Sequence, residues 1–356
     1  MSGRSVLEAL DPDLYEVIQI GITHEGMWLV GDQVLQAMLD GEMSRLDLAT
    51  LLPDPTRRDL YMVRLEDQGQ LLQFFAGLDV VFPVLHGSFG EDGTLQGLLE
   101  MADLAYIGSG VLGSALGMDK GIFKDVMRAH GIPVVSSIVF TRNEIESNVD
   151  TVIQRAESLA EYPLFVKPAN LGSSVGVSKC RSRSDLLEGL IDAAQYDRRI
   201  LVEQGVTARE IEVGVLGNEH PIASIPGEVI PSREFYSYEA KYLDENSQLL
   251  IPAPISEELA EEARRLSLAA YRAIDCAGMA RVDFLLSPDD PVKNLPEKLY
   301  LSELNTIPGF TKISMYPKLW QASGISYPAL INRLIELAIE RKAERDRTVH
   351  RFRREE

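Results

Sequence analysis

The chain has 356 residues, 45% hydrophobic and 25% charged, with a formal net charge of −19. That length calls for about two or three cores rather than one, and the negative balance argues against a nucleic-acid-binding surface while leaving room for a local cationic pocket that takes a nucleotide. No apolar run is long enough for a membrane span, and no charged segment followed by an apolar one opens the chain, so no signal peptide is expected. Cys180 and Cys276 are too few and too far apart for a disulfide framework or a zinc spacing, which fits a reducing cytoplasm.

In chain order, Ser5 to Leu10 reads as a helical fragment stopped at Asp11-Pro12, and Tyr15 to Ile22 alternates like a strand. Leu78 to Leu85 is a continuous apolar run, the pattern of a strand buried on both faces of a parallel sheet. It runs into His86-Gly-Ser-Phe-Gly-Glu-Asp-Gly93, a small-residue loop at a strand's carboxyl end, where open α/β sheets bind ligands. Leu95, Leu98, Leu99 and Ala102 mark a helix, and Ala105 to Ile107 a following strand. Residues 1–117 are expected to form a parallel α/β domain.

A second unit, 118–213, opens with a helix over Asp119 to Ala129, stopped by Gly131 and Pro133. Ile138 to Thr141 is a strand candidate and Val149 to Ala160 a helix. Leu164 to Cys180 reads as two strands flanking a Gly/Ser-rich loop. Such a loop can lay its N–H groups over phosphates, with Lys167 adding a point charge, or it is a surface hairpin with a snorkelling lysine. Leu201 to Gly205 and Glu210 to Gly217 are further strands, whose glutamates are either nucleotide contacts or surface residues. A third unit, 214–340, contains an aperiodic, tyrosine-bearing stretch from Glu228 to Ile251, the pattern of a functional lid. A helix over Glu257 to Ala273 and a closing helix over Tyr327 to Glu340 follow. Residues 341–356 read as a solvated, charge-dense tail without a role.

Two strand candidates in this last unit carry chemistry. Met279 to Leu286 puts Arg281 and Asp283 on one face, and Lys298 to Leu304 leads into Glu303 and Asn305 on one face. Side by side they would gather Asp283, Glu303 and Asn305, hard oxygen donors suited to Mg²⁺. The plainer alternative is two ordinary strands ended by the Pro308-Gly309 turn.

Taken together and in order, His86-Gly-Ser-Phe-Gly-Glu-Asp-Gly-Thr-Leu-Gln-Gly97, Met118-Asp-Lys120, Val166-Lys-Pro168, Gly172-Ser-Ser-Val-Gly176, Glu239-Ala-Lys-Tyr242, Arg281-Val-Asp283 and Glu303-Leu-Asn-Thr-Ile-Pro-Gly309 are specific. The chain resembles the D-alanine–D-alanine ligases of the ATP-grasp superfamily from Ser2 to about Ala338. The resemblance implies an α/β protein in which an N-terminal domain precedes a two-domain ATP-grasp fold. It implies ATP-dependent joining of two D-alanines through a D-alanyl phosphate, for peptidoglycan precursors, in a cytoplasmic homodimer using two Mg²⁺ or Mn²⁺ ions. Residue by residue, it implies phosphate binding by Lys120, Lys167 and Ser174. Adenine would lie at Glu203, Gln204 and Val206, and ribose at Glu210. Metal would be held by Asp283, Glu303 and Asn305, and Arg281 with the Gly309 N–H would form an oxyanion site. His86, Lys241, Ser314 and Met315 would contact D-alanine, and Ser173 and Tyr242 would close the lids. The rival readings are an ATP-grasp ligase making an ester or mixed dipeptide, and a nucleotide-binding protein without turnover. Members of the family usually begin with a further strand, a glycine-rich turn and a segment whose glutamate orients the first D-alanine. This chain starts past that point, so the natural reading frame is expected to continue upstream of Met1.

Overall fold

The computed structural model describes residues 1–66, 69–172, 175–230, 248–289 and 296–349. The chain opens on α1 (Ser2–Leu7), followed by β1 (Gly21–Ile22), β2 (Trp28–Val30), α2 (Val34–Asp40), β3 (Asp47–Leu51), β4 (Asp59–Glu66) and β5 (Gly69–Gly77). These five strands pair in sequence order as an antiparallel sheet. Among the described residues, parallel pairing is confined to β6 (Val80–Val81) and β7 (Ala105–Tyr106), joined over α3 (Thr94–Met101). The first lobe is therefore mostly antiparallel, not the parallel sheet expected. The alternation of Tyr15 to Ile22 serves packing rather than a ladder: Ile18 and Ile20 lie against the Leu60–Leu99–Tyr106 core, and only Gly21–Ile22 pair. The apolar run from Leu78 is likewise strand only at Val80–Val81, both half-buried.

The central lobe begins after α4 (Val111–Met118) with α5 (Lys120–Ala129). Asp119 caps α5, its Oδ1 accepting from the N–H groups of Gly121 and Ile122 at 3.0 and 2.9 Å. β8 (Ser137–Thr141), α6 (Arg142–Glu157), β9 (Leu164–Pro168), β10 (Ser178–Cys180), α7 (Arg183–Tyr196) and β11 (Arg199–Gln204) follow. The antiparallel sheet runs β10-β9-β11-β8. Val166, Ile200 and Val202 face α6 and α7. The opposite face carries Lys167 beside Leu201 and Phe165 beside Glu203.

The third lobe comprises β12 (Arg209–Gly217), β13 (Ile222–Ala223), β14 (Gly227–Ile230), β15 (Gln248–Leu250), α8 (Glu257–Ala273), β16 (Gly278–Ser287), β17 (Lys298–Asn305), α9 (Met315–Ala322) and α10 (Tyr327–Arg345). Its sheet runs β15-β14-β12-β16-β17, with β13 beside β12. Because β12 runs unbroken through residue 213 along β16, the change of sheets falls at 205–208 rather than at 213. α8 buries Ala263, Leu266 and Ala270 against one face. Tyr316 and Trp320 of α9 and Leu330 and Leu334 of α10 form the core on the other side. α10 continues into the expected tail, and Arg341, Lys342 and Arg345 contact the first lobe.

Candidate active site

A cleft of about 1230 Å³ opens between the lobes. That exceeds the roughly 300–1,000 Å³ of a pocket for one drug-sized ligand, so a nucleotide and small substrates fit together. Every expected site residue that the structure describes lines it. Ser173, Ser174, Lys241 and Tyr242 lie outside the described residues.

The central sheet supplies a cationic wall. The capped start of α5 places Lys120, whose Nζ donates to the Leu171 carbonyl at 2.8 Å and stands 3.9 Å from Glu303 Oε2. Glu203 lies between Lys167 Nζ at 2.6 Å and Lys124 Nζ at 2.8 Å. Lys124 is only 1% exposed, so its charge must be matched inside the protein. Burial alone would raise the Glu203 carboxyl, but the two lysines hold it at about 2. Gln204, Val206 and Glu210 continue this wall at the end of β11 and start of β12.

The third sheet supplies an acidic wall with one arginine. Register sets Glu212, Asp283 and Glu303 in a row across β12, β16 and β17, with Gly214, Arg281 and Asn305 in the next row on the same face. Arg281 grips Asp283 with Nε and Nη2, both at 2.7 Å, and Nε lies 3.0 Å from Glu212 Oε2. Burial works against this charge, and Asp283 and Glu212 hold it firmly in place. Asn305 donates Nδ2 to Asp283 at 3.0 Å, which leaves its amide oxygen for another partner. Two carboxylates and one amide oxygen on adjacent strands are a hard-donor set that suits Mg²⁺ or Mn²⁺ completed by phosphate oxygens. Among the described residues no group of three acids, histidines or cysteines is placed to hold a metal by itself. A bulge at Asp283/Phe284 adds Ser302 to β17, and its carbonyl accepts from Lys124 at 3.4 Å, joining the two walls.

The first lobe closes the third side. His86 Nδ1 donates to the Ile307 carbonyl at 3.0 Å. Glu91 accepts from Gly87 N–H at 2.6 Å and Ile307 N–H at 3.0 Å. Two residues on is Gly309, and Ser314 stands at the start of α9 with its Oγ accepting from Thr311 N–H at 3.0 Å. Met315 is buried against Val229 and Leu319. Glu91, Lys124 and Glu212 were not among the expected site residues. Lys124 is one helical turn from Lys120, and Glu212 shares the strand face of Glu210. Glu91 sits in the quoted glycine loop, so each had a positional signal.

Two antiparallel sheets closing on a nucleotide-sized cleft, one wall lysine-rich and the other acid-rich, define an ATP-grasp enzyme. Family models described as "D-ala D-ala ligase N-terminus" and "D-ala D-ala ligase C-terminus" match residues 1–109 and 126–336. D-alanine–D-alanine ligases from Caldicellulosiruptor bescii and Chloroherpeton thalassium are 48% and 47% identical, each alignment covering 97% of this chain, and 92% and 93% of the relative. The solved D-alanine–D-alanine ligase from Coxiella burnetii superposes with a TM-score of 0.77 at 34% identity, over 97% of this chain and 90% of that one. The VanG D-Ala:D-Ser ligase from Enterococcus faecalis reaches 0.81 at 30% identity, over 95% and 94%. The chain belongs to the D-alanine–D-alanine ligase family.

Proposed function

We propose that the cleft performs the family's reaction with the residues just described. The protein is an ATP-dependent ligase that joins two D-alanines to D-alanyl-D-alanine for peptidoglycan synthesis. The single observation that carries the residue assignment is the row Glu212–Asp283–Glu303 with Arg281 and Asn305 beside it, facing the lysines across one cleft.

A carboxylate is a poor electrophile, so the first D-alanine attacks the γ-phosphorus of ATP, giving D-alanyl phosphate and ADP. Lys120 and Lys167 bind the phosphates and offset charge on the transferring group. Asp283, Glu303 and Asn305 hold Mg²⁺ or Mn²⁺, which when bound neutralises phosphate charge. The amine of the second D-alanine then attacks the acyl carbon, and phosphate leaves. Arg281 and the Gly309 N–H stabilise the tetrahedral oxyanion. Ser314 and the first N–H groups of α9, a helix N-terminus, receive the carboxylate of the second D-alanine. His86 borders the first. Glu203 contributes to the adenine end mainly through its backbone, since its carboxylate is held by two lysines. Free, buried Cys180 and Cys276 support a reducing cytoplasm, and a homodimer completes the reading.

The test is phosphate release from the enzyme with ATP, Mg²⁺ and D-alanine, L-alanine, D-serine or D-lactate as acceptor panel. D-Alanine should be the best substrate on its own, and L-alanine should give background. The likeness to a D-Ala:D-Ser ligase makes mixed D-alanine/D-serine reactions the sharpest competitor. Equal release with D- and L-alanine would overturn the assignment, and preferential D-alanyl-D-serine would move it to the mixed dipeptide.

A further inference from the structure

Glu91 touches both halves of the catalytic cleft, and nothing in the reaction scheme uses it. Its carboxylate accepts from the Gly87 N–H at 2.6 Å, on its own loop, and from the Ile307 N–H at 3.0 Å, in the third lobe. The carbonyl of Ile307 is also taken, because His86 Nδ1 lies 3.0 Å from the Ile307 oxygen. A carbonyl only accepts, so Nδ1 carries the proton. One residue is thus gripped at its N–H and its C=O, on the two peptide units that flank it, by two side chains of a single loop. This is the work of a two-bond strand ladder performed across a lobe boundary, where no strands meet.

The gripped residue begins the Ile307-Pro308-Gly309 turn, and Pro308 limits how far the turn can adjust. Gly309 therefore sits at a distance from the first lobe that the grip on Ile307 sets. The carboxylate is itself held in an uncomfortable place. Burial pushes Glu91 up to about 7, against the pull of the two amide N–H groups, and the nearby Glu303 charge pushes the same way. Asparagine or serine could cap a loop N–H at no such cost; an acid reaching two lobes cannot be replaced so simply.

We propose that Glu91 is a positioning residue for the ligation step, fixing the 306–309 turn, and with it the Gly309 N–H, against the lobe that carries the first substrate. This rests on the reading of Gly309 as an oxyanion donor. An oxyanion donor is effective only when pre-aimed, and displacement of about 1 Å can cost on the order of a hundredfold in rate.

The test pairs two readouts on Glu91→Gln and Glu91→Ala in the intact enzyme. Glutamine keeps the shape but its amide oxygen can accept for only one of the two N–H groups. The first readout is hydrogen exchange of the segment spanning 304–310, which should speed up in both variants. The second splits kcat from nucleotide affinity. kcat should fall about tenfold for Glu91→Gln and about a hundredfold for Glu91→Ala, while the ATP dissociation constant stays within about threefold, because Lys120 and Lys167 keep their partners. Unchanged exchange at 304–310 overturns the role of Glu91 and leaves Gly309 untouched. Faster exchange with unchanged kcat removes Gly309 from the reaction and the inference with it. A loss of ATP affinity as large as the loss of kcat places Glu91 at the nucleotide and overturns the positioning role.

Discussion

The two sheets that face each other across the cleft solve the same problem with opposite charges. At the central sheet, one lysine from the sheet and one from α5 flank one glutamate; on the third sheet, one arginine is flanked by two acids. Each cluster keeps one uncompensated charge, positive on the central wall and negative on the third. What differs is where the spare capacity points. Lys124 and Glu203 are spent on one another deep in the protein, and Lys167, 22% exposed, keeps a side towards the cleft. In the arginine cluster the groups lie at the cleft itself: Arg281, Asp283, Glu303 and the Asn305 amide all line it. The central wall is a supported floor for phosphates, and the third wall a set of aimed donors and acceptors.

The largest effect is expected on the floor. Glu203→Gln leaves two ammonium groups around one neutral amide, one of them wholly buried. Breaking a buried ionic cluster in this way costs about 3–5 kcal/mol. Chemical denaturation of the variant should show that loss, and adding Lys124→Met should return much of it, because the stranded charge is gone. A loss below about 1 kcal/mol, or no recovery in the double variant, would erase the contrast between a structural wall and a working one.

The second effect belongs to the third wall and should spare stability. Arg281→Lys keeps one positive charge but cannot bond Asp283 twice, reach Glu212 and still present a donor to the substrate. Losing one good oxyanion donor costs on the order of 10²–10³ in kcat, about 3–4 kcal/mol. Steady-state kinetics should show that fall with little change in ATP affinity. If lysine turns over within about threefold of the parent, Arg281 is merely part of the acid cluster's support, and the two walls are alike.

The sequence made one wall more legible than the other. Strands β16 and β17 announce themselves by alternation, short in β17, so Arg281 shares a face with Asp283 and Glu303 with Asn305 on the pattern alone. The helix over Glu257 to Ala273 is equally plain, since its buried stripe from Ala260 to Tyr271 repeats over about three turns. Glu212 escaped because alternation says only that a residue shares a face with Glu210, whereas its meaning comes from lying opposite Asp283, a matter of register. Lys124 escaped because a polar residue on a helix reads as solvated until the partner sheet is known. The first lobe was read poorly for a related reason: Ile18 and Ile20 alternate to reach a core, and packing without a ladder leaves the same trace as a strand. The charged stretch after Glu340 was misread because density of charge says nothing of whether acids await it elsewhere.

That stretch provides the smallest prediction, and a control for the comparison of the walls. At the end of α10, Lys342 reaches Asp103 at 2.9 Å, and Arg345 lies 3.5 Å from Asp103 and 3.8 Å from Glu100. Arg341 stacks 4.1 Å from the Tyr106 ring centroid and donates to the Tyr106 carbonyl at 3.3 Å. These contacts fasten the first lobe to the third far from the cleft. Their side chains are 12–36% exposed, so water and salt still reach the ion pairs and each contributes about 1 kcal/mol. The Arg341 stack has a different character: it covers a ring and satisfies a backbone carbonyl, neither of which salt removes readily. Arg341→Ala should therefore lower the denaturation midpoint by the equivalent of about 1 kcal/mol in both dilute buffer and 1 M salt. Lys342→Ala should cost no more in dilute buffer and almost nothing at 1 M. Neither should move kcat by more than about twofold, because the turn that carries Gly309 is held by the His86–Glu91 loop and not by this seam. A Lys342→Ala loss that persists at high salt would show that the seam works by packing. A kcat loss in either variant comparable to that of Arg281→Lys would show that lobe fastening, and not the aim of the third wall, limits the reaction.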